Sequence, residues 1–598
     1  MTEIVIDDRP VEAGPSQFGP ASPRGHRLRL AASRFRGGWL LAFWIIIVAI
    51  LVLPILLFLL VAFSPRLFAQ GPEWFTLSGF GKAFSGQLLK GIENSLFISV
   101  TTAVLSMVIG FAVAWLVLRS DVPGRRLWTG SMFAMLLAPS YLVALGWERL
   151  IEPSGVLELM GFTVTGFRNV FYGPVGVIVV LTMKGIPFAY LAISSALRGL
   201  GEEFEAAARV HGGGRLSASR MVFSLLAPAV WSALAIVFAE SISDFGVAAT
   251  LANDSHFPVA TYVLYNAIDS FPINFPVAAA VGWILLSLAG LALLAQSRAL
   301  HGRSYRVLGG RNRPARRHRL GLPVKIGATA GVALVVVIGL GVPIFGAVSA
   351  SLINGLGSLI GDHKLSLDNY VRVLSGPTLG GPLLFSAELA AITATLSVIL
   401  GVVVSRVLST RTGRLSARIL DLLLLTAVAL PGIVFAAGYI FTYNLPVMNN
   451  LGIHLYGTSM LLLFGYVATA LPSTSRVLLG TVGQVQESLG QAGRVHGGTA
   501  AGSWLQTVLP LLARPMLSAW VLTFSSTLLE LPVSELLYPP NKPPVAVGIT
   551  KALANYDFGG GTAMEVIALL LALAVMGLVW GLFGLLAPAG WRRLGRTT

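Results

Sequence analysis

Long apolar segments without charged residues recur along the whole chain and predict membrane-spanning helices. The clearest reach or exceed the ~20 apolar residues that cross a bilayer as a helix: 39–63, 95–118, 127–147, 270–297, 326–361 and 566–591. The uncharged stretch 422–475 is long enough for two spans and breaks in the turn-rich segment 443–452. Weaker spans, each carrying or adjoining a charge, fit residues 173–200, 227–251, 385–405 and 515–537. The pattern predicts an all-α polytopic membrane protein of about twelve transmembrane helices, six in each half.

Composition supports this prediction and excludes several kinds of site. Of the 598 residues, 55% are hydrophobic and 11% are charged, against roughly 25% charged in a typical soluble domain. The chain has no cysteine, which excludes disulfides and thiolate metal sites. It also has no phosphate-binding G-x-x-x-x-G-K-[ST] loop, H-E-x-x-H pair or serine elbow. We therefore expect no catalytic or metal-ligating residues, no cofactor bound by this chain and no enzymatic activity of its own.

The basic residues predict how the chain sits in the membrane. The formal net charge is +16, and 32 of the 42 Lys and Arg fall in the two tails and alternate loops. Cytoplasmic loops of membrane proteins carry this excess of basic residues, so both termini are predicted to be cytoplasmic. The charge is thus a topology signal, with membrane lipid and not nucleic acid as the expected partner. We expect a multi-pass protein of a bacterial inner membrane.

The two halves of the chain repeat each other. Residues 209–213, Arg-Val-His-Gly-Gly, recur as residues 494–498 at an offset of 285, and Pro187 matches Pro472 at the same offset. Pro139 and Gly146 match Pro431 and Gly438 at an offset of 292. In spans 2 and 8, six small or apolar residues match at an offset of 291 (Ser95, Thr102, Ala103, Leu105, Ser106 and Gly110). Six spans per copy give both copies the same orientation, with a pathway expected between them.

These features divide the chain into four parts. Residues 1–38 form a basic, Pro- and Gly-rich cytoplasmic tail with the composition of a disordered segment. Residues 39–298 form the first six-span unit, 299–325 a basic cytoplasmic linker, and 326–598 the second six-span unit.

The loop between the fourth and fifth spans of each half predicts a short exposed helix. In the first copy, Glu205, Ala207, Ala208 and Arg209 precede Gly212; in the second, Ala492 and Arg494 precede Gly497. Each glycine can end its helix in a left-handed turn. A small-residue helix presented twice suits docking on a two-fold partner. The alternative is a helix that lies on the membrane surface.

This duplicated loop resembles the EAA loop of the permeases of binding-protein-dependent ABC importers. The form E-A-A-x-x-x-G, followed by an apolar stretch and L-P, is kept in part by Ala207, Ala208 and Gly212, and by Ala492, Gly497 and Leu509-Pro510. The motif's Glu falls on Ala206, beside Glu205, and on Gln491, and its second Ala is Gly493 in the second copy. The resemblance implies two copies of a separate ATPase on these loops, ATP bound by those subunits, and a periplasmic or lipid-anchored solute-binding protein.

The resemblance covers residues 40–590 and is strongest to the ferric-iron subgroup, which fuses two six-span units in one chain. Asp244-Phe245-Gly246, with Thr261-Tyr262 downstream, and Glu530-Leu531-Pro532 carry this likeness. It implies import of ferric iron or a ferric complex by alternating access. The alternatives left open are another small solute (thiamine, phosphonate or a polyamine) and, less favoured, a twelve-span secondary transporter. Residues 121–126, Asp-Val-Pro-Gly-Arg-Arg, suggest the secondary transporter, although they also fit a basic cytoplasmic turn.

Four acids inside predicted spans are the candidate pathway residues. Glu240 and Asp244 lie four apart in the predicted fifth span, so they are expected on one helix face. Glu530 and Glu535 lie five apart in the predicted eleventh span. Intramembrane acids cost roughly 2.5–3.5 kcal/mol or more each at the centre of a helix, so they should face a cavity or a partner. Pairing with Lys184 in the fourth span is the structural alternative.

Overall fold

Helices make up the fold of this protein. The computed structural model describes residues 41–153, 155–200, 215–300, 317–353, 365–409, 414–485, 487–495 and 497–588. Over these residues the chain forms helices and turns, and its only β-type pairing is an isolated bridge between Ser120 and His318. The all-α prediction is therefore confirmed.

The described residues contain ten unbroken helices long and apolar enough to cross a membrane, or up to twelve spans when each of two bent helix pairs counts as one. The ten unbroken spans, numbered in chain order, are 1 Leu41–Val61, 2 Gly86–Arg119, 4 Pro174–Gly199, 5 Phe223–Ile242, 6 Phe275–Ala299, 7 Leu322–Ser351, 8 Pro377–Ser409, 10 Ser459–Val482, 11 Trp504–Leu528 and 12 Phe558–Leu586. The bent spans are 3 (Arg125–Leu137 with Ser140–Leu159) and 9 (Leu415–Ala429 with Gly432–Tyr443).

Shorter helices connect these spans. They are Pro65–Phe68, Ser78–Ala83, Thr165–Phe171, Ala260–Asp269, Asp368–Ser375, Pro446–Asn450, Glu487–Val495, Ala500–Ser503, Pro532–Leu537 and Val545–Ala554.

The structure corrects the shape of spans 3 and 9, which the apolar pattern presents as continuous. They bend by 98° and 108° where Pro139 and Pro431 interrupt the helix. Proline lacks a backbone N–H and disfavours helical conformation in the residue before it. Ala138 accordingly adopts extended backbone angles (φ −69°, ψ 122°). A hydropathy pattern cannot show such a bend because both arms are equally apolar.

Spans 5 and 11 also end earlier than predicted. The helix of span 5 ends at Ile242, so Asp244 lies beyond it and does not share a helix face with Glu240. Span 11 ends at Leu528; Glu530 lies in the following break and Glu535 in the separate helix Pro532–Leu537. The predicted continuous spans 227–251 and 515–537 are therefore wrong at their ends.

The two halves are interlocked by their first spans. The second arm of span 3 packs on span 7, and the second arm of span 9 packs on span 1. Glycine permits both contacts: a Cβ atom on Gly146 would lie 2.4 Å from the Pro343 carbonyl oxygen, and one on Gly438 would lie 2.7 Å from that of Pro54. The repeated glycines of the sequence thus mark equivalent crossings between the halves.

The contact between spans 1 and 9 also supplies a hydrogen bond to the Ile50 carbonyl, which loses its helical donor at Pro54. Pro54 has no N–H for the carbonyl of Ile50, and the helix widens into a π-turn over Val48–Val52. The Tyr439 hydroxyl of span 9 donates to the Ile50 carbonyl at 2.6 Å. A π-turn at Val337–Gly341 precedes Pro343 in span 7 in the same way.

The internal repeat is visible in matched hydrogen bonds. Ser95 accepts from the backbone N–H of Ala260 at 2.8 Å, and Ser386 accepts from that of Val545 at 2.7 Å. Each serine caps the N-terminus of a short helix of its own half, Ala260–Asp269 or Val545–Ala554. Small residues on the same face let span 2 approach span 4, where a Cβ on Gly110 would lie 2.7 Å from that of Ala189.

Candidate functional site

A cavity of about 340 Å³ lies between the halves, where four helix breaks meet. The bends of spans 3 and 9 contribute Pro139-Ser140 and Pro431-Gly432, and the breaks after spans 5 and 11 contribute residues 243–246 and 529–532. Each half therefore supplies one bend and one break. We call this space the central cavity. Three of the four predicted pathway acids, Glu240, Asp244 and Glu530, line it.

Asp244 caps the helical segment 246–254, which follows the break after span 5 and contains the π-turn Ala248–Ala252. Its Oδ1 atom accepts from the backbone N–H of Val247 at 2.8 Å, and Thr261 donates its hydroxyl to the Asp244 carbonyl at 2.8 Å. Phe245 is buried, with its ring 5.5 Å from that of Tyr265. A Cβ on Gly246 would lie 2.4 Å from the Ser140 hydroxyl. Each residue of the Asp-Phe-Gly element therefore stabilises the chain at the break. Asp244 caps the next helical segment, Phe245 is buried, and Gly246 allows a close contact with span 3.

Glu530 occupies the equivalent place in the second half. Its carboxylate oxygens accept from the backbone N–H groups of Val533 at 3.0 and 3.1 Å and of Ser534 at 3.1 Å. Pro532 is the first residue of the helix that Glu530 caps, a position where its missing N–H costs nothing. Unpaired N–H groups at a helix N-terminus favour negative charge. The Glu-Leu-Pro element is therefore a helix start whose carboxylate lines the cavity.

Glu240 and Lys184 do not form an ion pair, although pairing of an acid with Lys184 is the structural alternative to a pathway role. Glu240 lies in the last turn of span 5 and lines the central cavity, whereas Lys184 donates to the carbonyls of Leu136 and Ala138 at 2.7 and 2.6 Å. These carbonyls lose their helical partners at the bend of span 3. No ion pair joins Lys184 to an acid in the described part of the chain. Lys184 is therefore a support for the bend.

Glu535 is not brought together with the other three acids. It lies in the helix Pro532–Leu537 and is absent from the lining of the central cavity as far as the structure describes it. Spacing within one predicted span could not show this, because Glu535 lies in a separate helix that begins after the break at Glu530.

Ser140 and Arg476 also line the cavity, although the sequence analysis does not predict them as site residues. Ser140 begins the second arm of span 3, and Arg476 lies on span 10 one turn after Pro472. In the sequence, Arg476 is the first basic residue after the uncharged stretch 422–475, so it resembles a residue of the next cytoplasmic loop. Its position four residues after the repeated proline, where the first half has Leu191, is the signal that could have identified it.

The second copy of the duplicated loop forms the predicted helix, Glu487–Val495. Gly497 has a left-handed φ of +84°. Its N–H donates to the Arg494 carbonyl, and that of Gly498 to the Gly493 carbonyl, both at 3.0 Å. This is a Schellman ending, which confirms the predicted left-handed turn at Gly497. The first copy, with Glu205, Ala207, Ala208, Arg209 and Gly212, lies outside the described residues.

This helix presents an exposed small-residue surface. Ala492 and Arg494 are exposed, and Val495 is 84% exposed. A Cβ on Gly493 would lie 2.7 Å from that of Ser503, in the helix Ala500–Ser503. Gly493 replaces the second alanine of the motif, and an alanine there would clash with Ser503.

The motif at residues 121–126 has a structural role in joining the halves. Asp121 accepts from the backbone N–H of Leu320 and from the Lys325 ammonium group, both at 3.0 Å. These bonds, that of the Leu320 N–H first, hold the pKa of Asp121 below its ordinary value. The backbone N–H of His318 donates to the Arg119 carbonyl at 2.8 Å. The loop after span 2 is thus tied to the segment that enters span 7.

Comparison with known proteins supports the predicted likeness. No protein-family model matches the chain. The ferric transport system permease FbpB of Actinobacillus pleuropneumoniae is 26% identical over 449 residues, 73% of this chain and 63% of that protein. A putative ferric transport system permease FbpB 1 of Haemophilus influenzae is 25% identical over 73% of this chain and 68% of its own length. The sulfate transport permease CysT of Salmonella typhimurium is 27% identical over 37% of this chain and 80% of its own. The chain thus matches under two thirds of the length of the first of these relatives.

Proposed function

We propose that this chain, a relative of the fused permeases of ABC importers, is the membrane-spanning subunit of an ATP-driven importer. The observation that carries the proposal is the central cavity, where equivalent breaks of both halves meet and three intramembrane acids face one space. Ionisable groups within membrane spans typically mark a transport pathway. A cavity at the interface of two repeats is where such transporters hold their solute.

Coupling to ATP hydrolysis would occur at the duplicated loops. The exposed helix Glu487–Val495 and the loop around Gly212 would each dock on one copy of a separate ATPase. A solute-binding protein would deliver the solute on the outer side. ATP binding would draw the two loops together and open the central cavity outward, and hydrolysis would reset it. The positive-inside pattern favours an inner-membrane location with both termini in the cytoplasm.

Ferric iron, free or as a ferric complex, is the solute we favour. Two relatives that match 73% of this chain are named ferric transport permeases, and carboxylates are ligands suited to hard cations. Relatives named for sulfate and molybdenum match shorter parts of the chain, 37% and 39%. Because of these relatives, an oxyanion is the second candidate for the transported solute.

Copurification and vesicle uptake test this function together. The tagged chain, purified from membranes of its own host, should bring down an ATPase in a ratio of two ATPase copies to one permease. ATP-loaded right-side-out vesicles should then take up the solute only with ATP inside. A chain that brings down no ATPase and takes up solute in response to an ion gradient would instead be a secondary transporter.

A further inference from the structure

Arg476 is the one basic side chain among the described residues that line the central cavity. It is exposed, and it makes no hydrogen bond or ion pair within the described part of the chain. Lys184 donates to two carbonyls of the span 3 bend and does not line the cavity. The donors of the Arg476 guanidinium are therefore available to a molecule in the cavity.

The charges of the cavity fit neither a bare cation nor a free anion. The carboxylates of Glu240, Asp244 and Glu530 repel an anion, whereas a guanidinium repels a trivalent metal ion. Arginine binds carboxylates and oxyanions with two parallel hydrogen bonds. The first half has Leu191 at the equivalent position, so the cavity has a single anion-binding side.

The acids of the cavity are not arranged as a metal site in the described part of the chain. Both oxygens of Glu530 and one of Asp244 already accept backbone N–H groups. No group of three or more His, Asp or Glu in the described residues is arranged to hold a metal. At about 340 Å³ the cavity has far more room than a bare ion needs. A metal that passes here would have to keep ligands of its own.

We infer that Arg476 binds the anionic ligand of a metal complex, so that the importer carries a metal–carboxylate chelate and not the bare ion. This inference rests on the proposed function and specifies its substrate class. Arg476 would determine specificity by holding the chelating anion while the carboxylates face the metal. It lies on span 10, which leads directly to the helix Glu487–Val495.

The test compares Arg476→Gln and Arg476→Lys with Arg418→Gln, which removes an exposed arginine that does not line the cavity. ATP-loaded right-side-out vesicles would come from cells that produce the chain with its native partners. They would be supplied with periplasmic extract of the same cells and with radioactive ferric citrate or sulfate. The half-saturating concentration, maximal uptake and amount of associated ATPase would be measured.

We expect Arg476→Gln to raise the half-saturating concentration of ferric citrate by roughly tenfold or more, as loss of a charged hydrogen bond predicts. Arg476→Lys should fall between Arg476→Gln and the unaltered chain, and Arg418→Gln should match the unaltered chain, with equal ATPase association in all. Unchanged uptake of ferric citrate by Arg476→Gln would overturn the inference. So would uptake of sulfate and not ferric citrate by the unaltered chain. Failure of the unaltered chain to bind an ATPase would overturn the proposed function itself.

Discussion

At the scale of single residues, Gly146 and Gly438 allow the spans of one half to pack closely on those of the other. Gly146 and Gly438 are recognisable in the sequence as a repeated pair, but the proline each one meets lies far away in the chain. Sequence comparison of the halves therefore finds the glycines without showing why they are needed. The reason is a backbone carbonyl that leaves no room for a methyl group.

Replacing Gly146 with alanine should destabilise the protein. The new Cβ would lie 2.4 Å from the Pro343 carbonyl oxygen, a backbone atom that cannot move alone. Overpacking of this kind costs about 1–3 kcal/mol. Gly290→Ala is the matched control, since a Cβ there meets nothing within 4 Å and alanine favours a helix. Thermal unfolding in detergent should show a lower midpoint for Gly146→Ala and an equal or higher one for Gly290→Ala. Equal midpoints for both variants would contradict the close crossing.

At the scale of elements, the sequence predicted the helices better than their ends. The number of spans and the helix before Gly497 follow from apolar length and helix-ending signals, and the structure contains them. The apolar pattern does not predict the bends at Pro139 and Pro431 or the breaks at Asp244 and Glu530. Contacts with other elements stabilise the bend of span 3, through Lys184 on its carbonyls, and the break at Asp244, through the Thr261 hydroxyl. A hydropathy pattern describes neighbouring residues in the sequence and therefore cannot predict such contacts.

The turn after the helix Glu487–Val495 gives a test of its proposed coupling role. Gly497 has a φ of +84°, and its Cβ position faces open space. Gly497→Val should therefore strain the turn without a clash, at a cost of roughly 1–2 kcal/mol or more. Gly497→Asn is the control, because asparagine tolerates the left-handed conformation. We expect less copurified ATPase with Gly497→Val and near-normal amounts with Gly497→Asn.

Normal ATPase association with both Gly497 variants would argue against docking at this helix. Reduced association with both, together with a lower unfolding midpoint, would indicate a general folding defect instead.

At the scale of the whole molecule, orientation rests on the distribution of basic residues. Gly310→Cys, in the basic linker, and Asn450→Cys, between spans 9 and 10, each give this cysteine-free chain one thiol. A membrane-impermeant thiol reagent added to intact spheroplasts should label only the cysteine at 450, and added to inverted vesicles only that at 310. Labelling of both from the same side would refute the twelve-span topology.

The central cavity shows how far local sequence reasoning reaches at this scale. The rarity of charges inside spans points to Glu240, Asp244 and Glu530, and the structure brings them to one cavity. It points equally to Glu535, yet Glu535 does not line that cavity where the structure describes it. It does not point to Arg476, because a basic residue near the cytoplasmic end of a span has the appearance of a topology signal. Whether one of these residues lines the cavity depends on its position in the folded structure. The sequence of a single span does not reveal that position.

The pathway role of the acids can be separated from their role as helix caps. Asp244→Asn and Glu530→Gln keep a side-chain oxygen that accepts the backbone N–H of Val247 or Val533, so the helix starts should persist while the charge is lost. Glu388→Gln is the control, because Glu388 is exposed on span 8 and does not line the cavity. Vesicle uptake and ATPase activity would be measured on the same preparations. The double variant should lose about 90% or more of uptake, as loss of charged contacts worth about 1.5–3 kcal/mol predicts, while ATPase activity stays near that of the Glu388→Gln control. Because a carboxylate lining that contacts the solute must affect its passage, unaltered uptake by the double variant would show that these acids serve only to start helices.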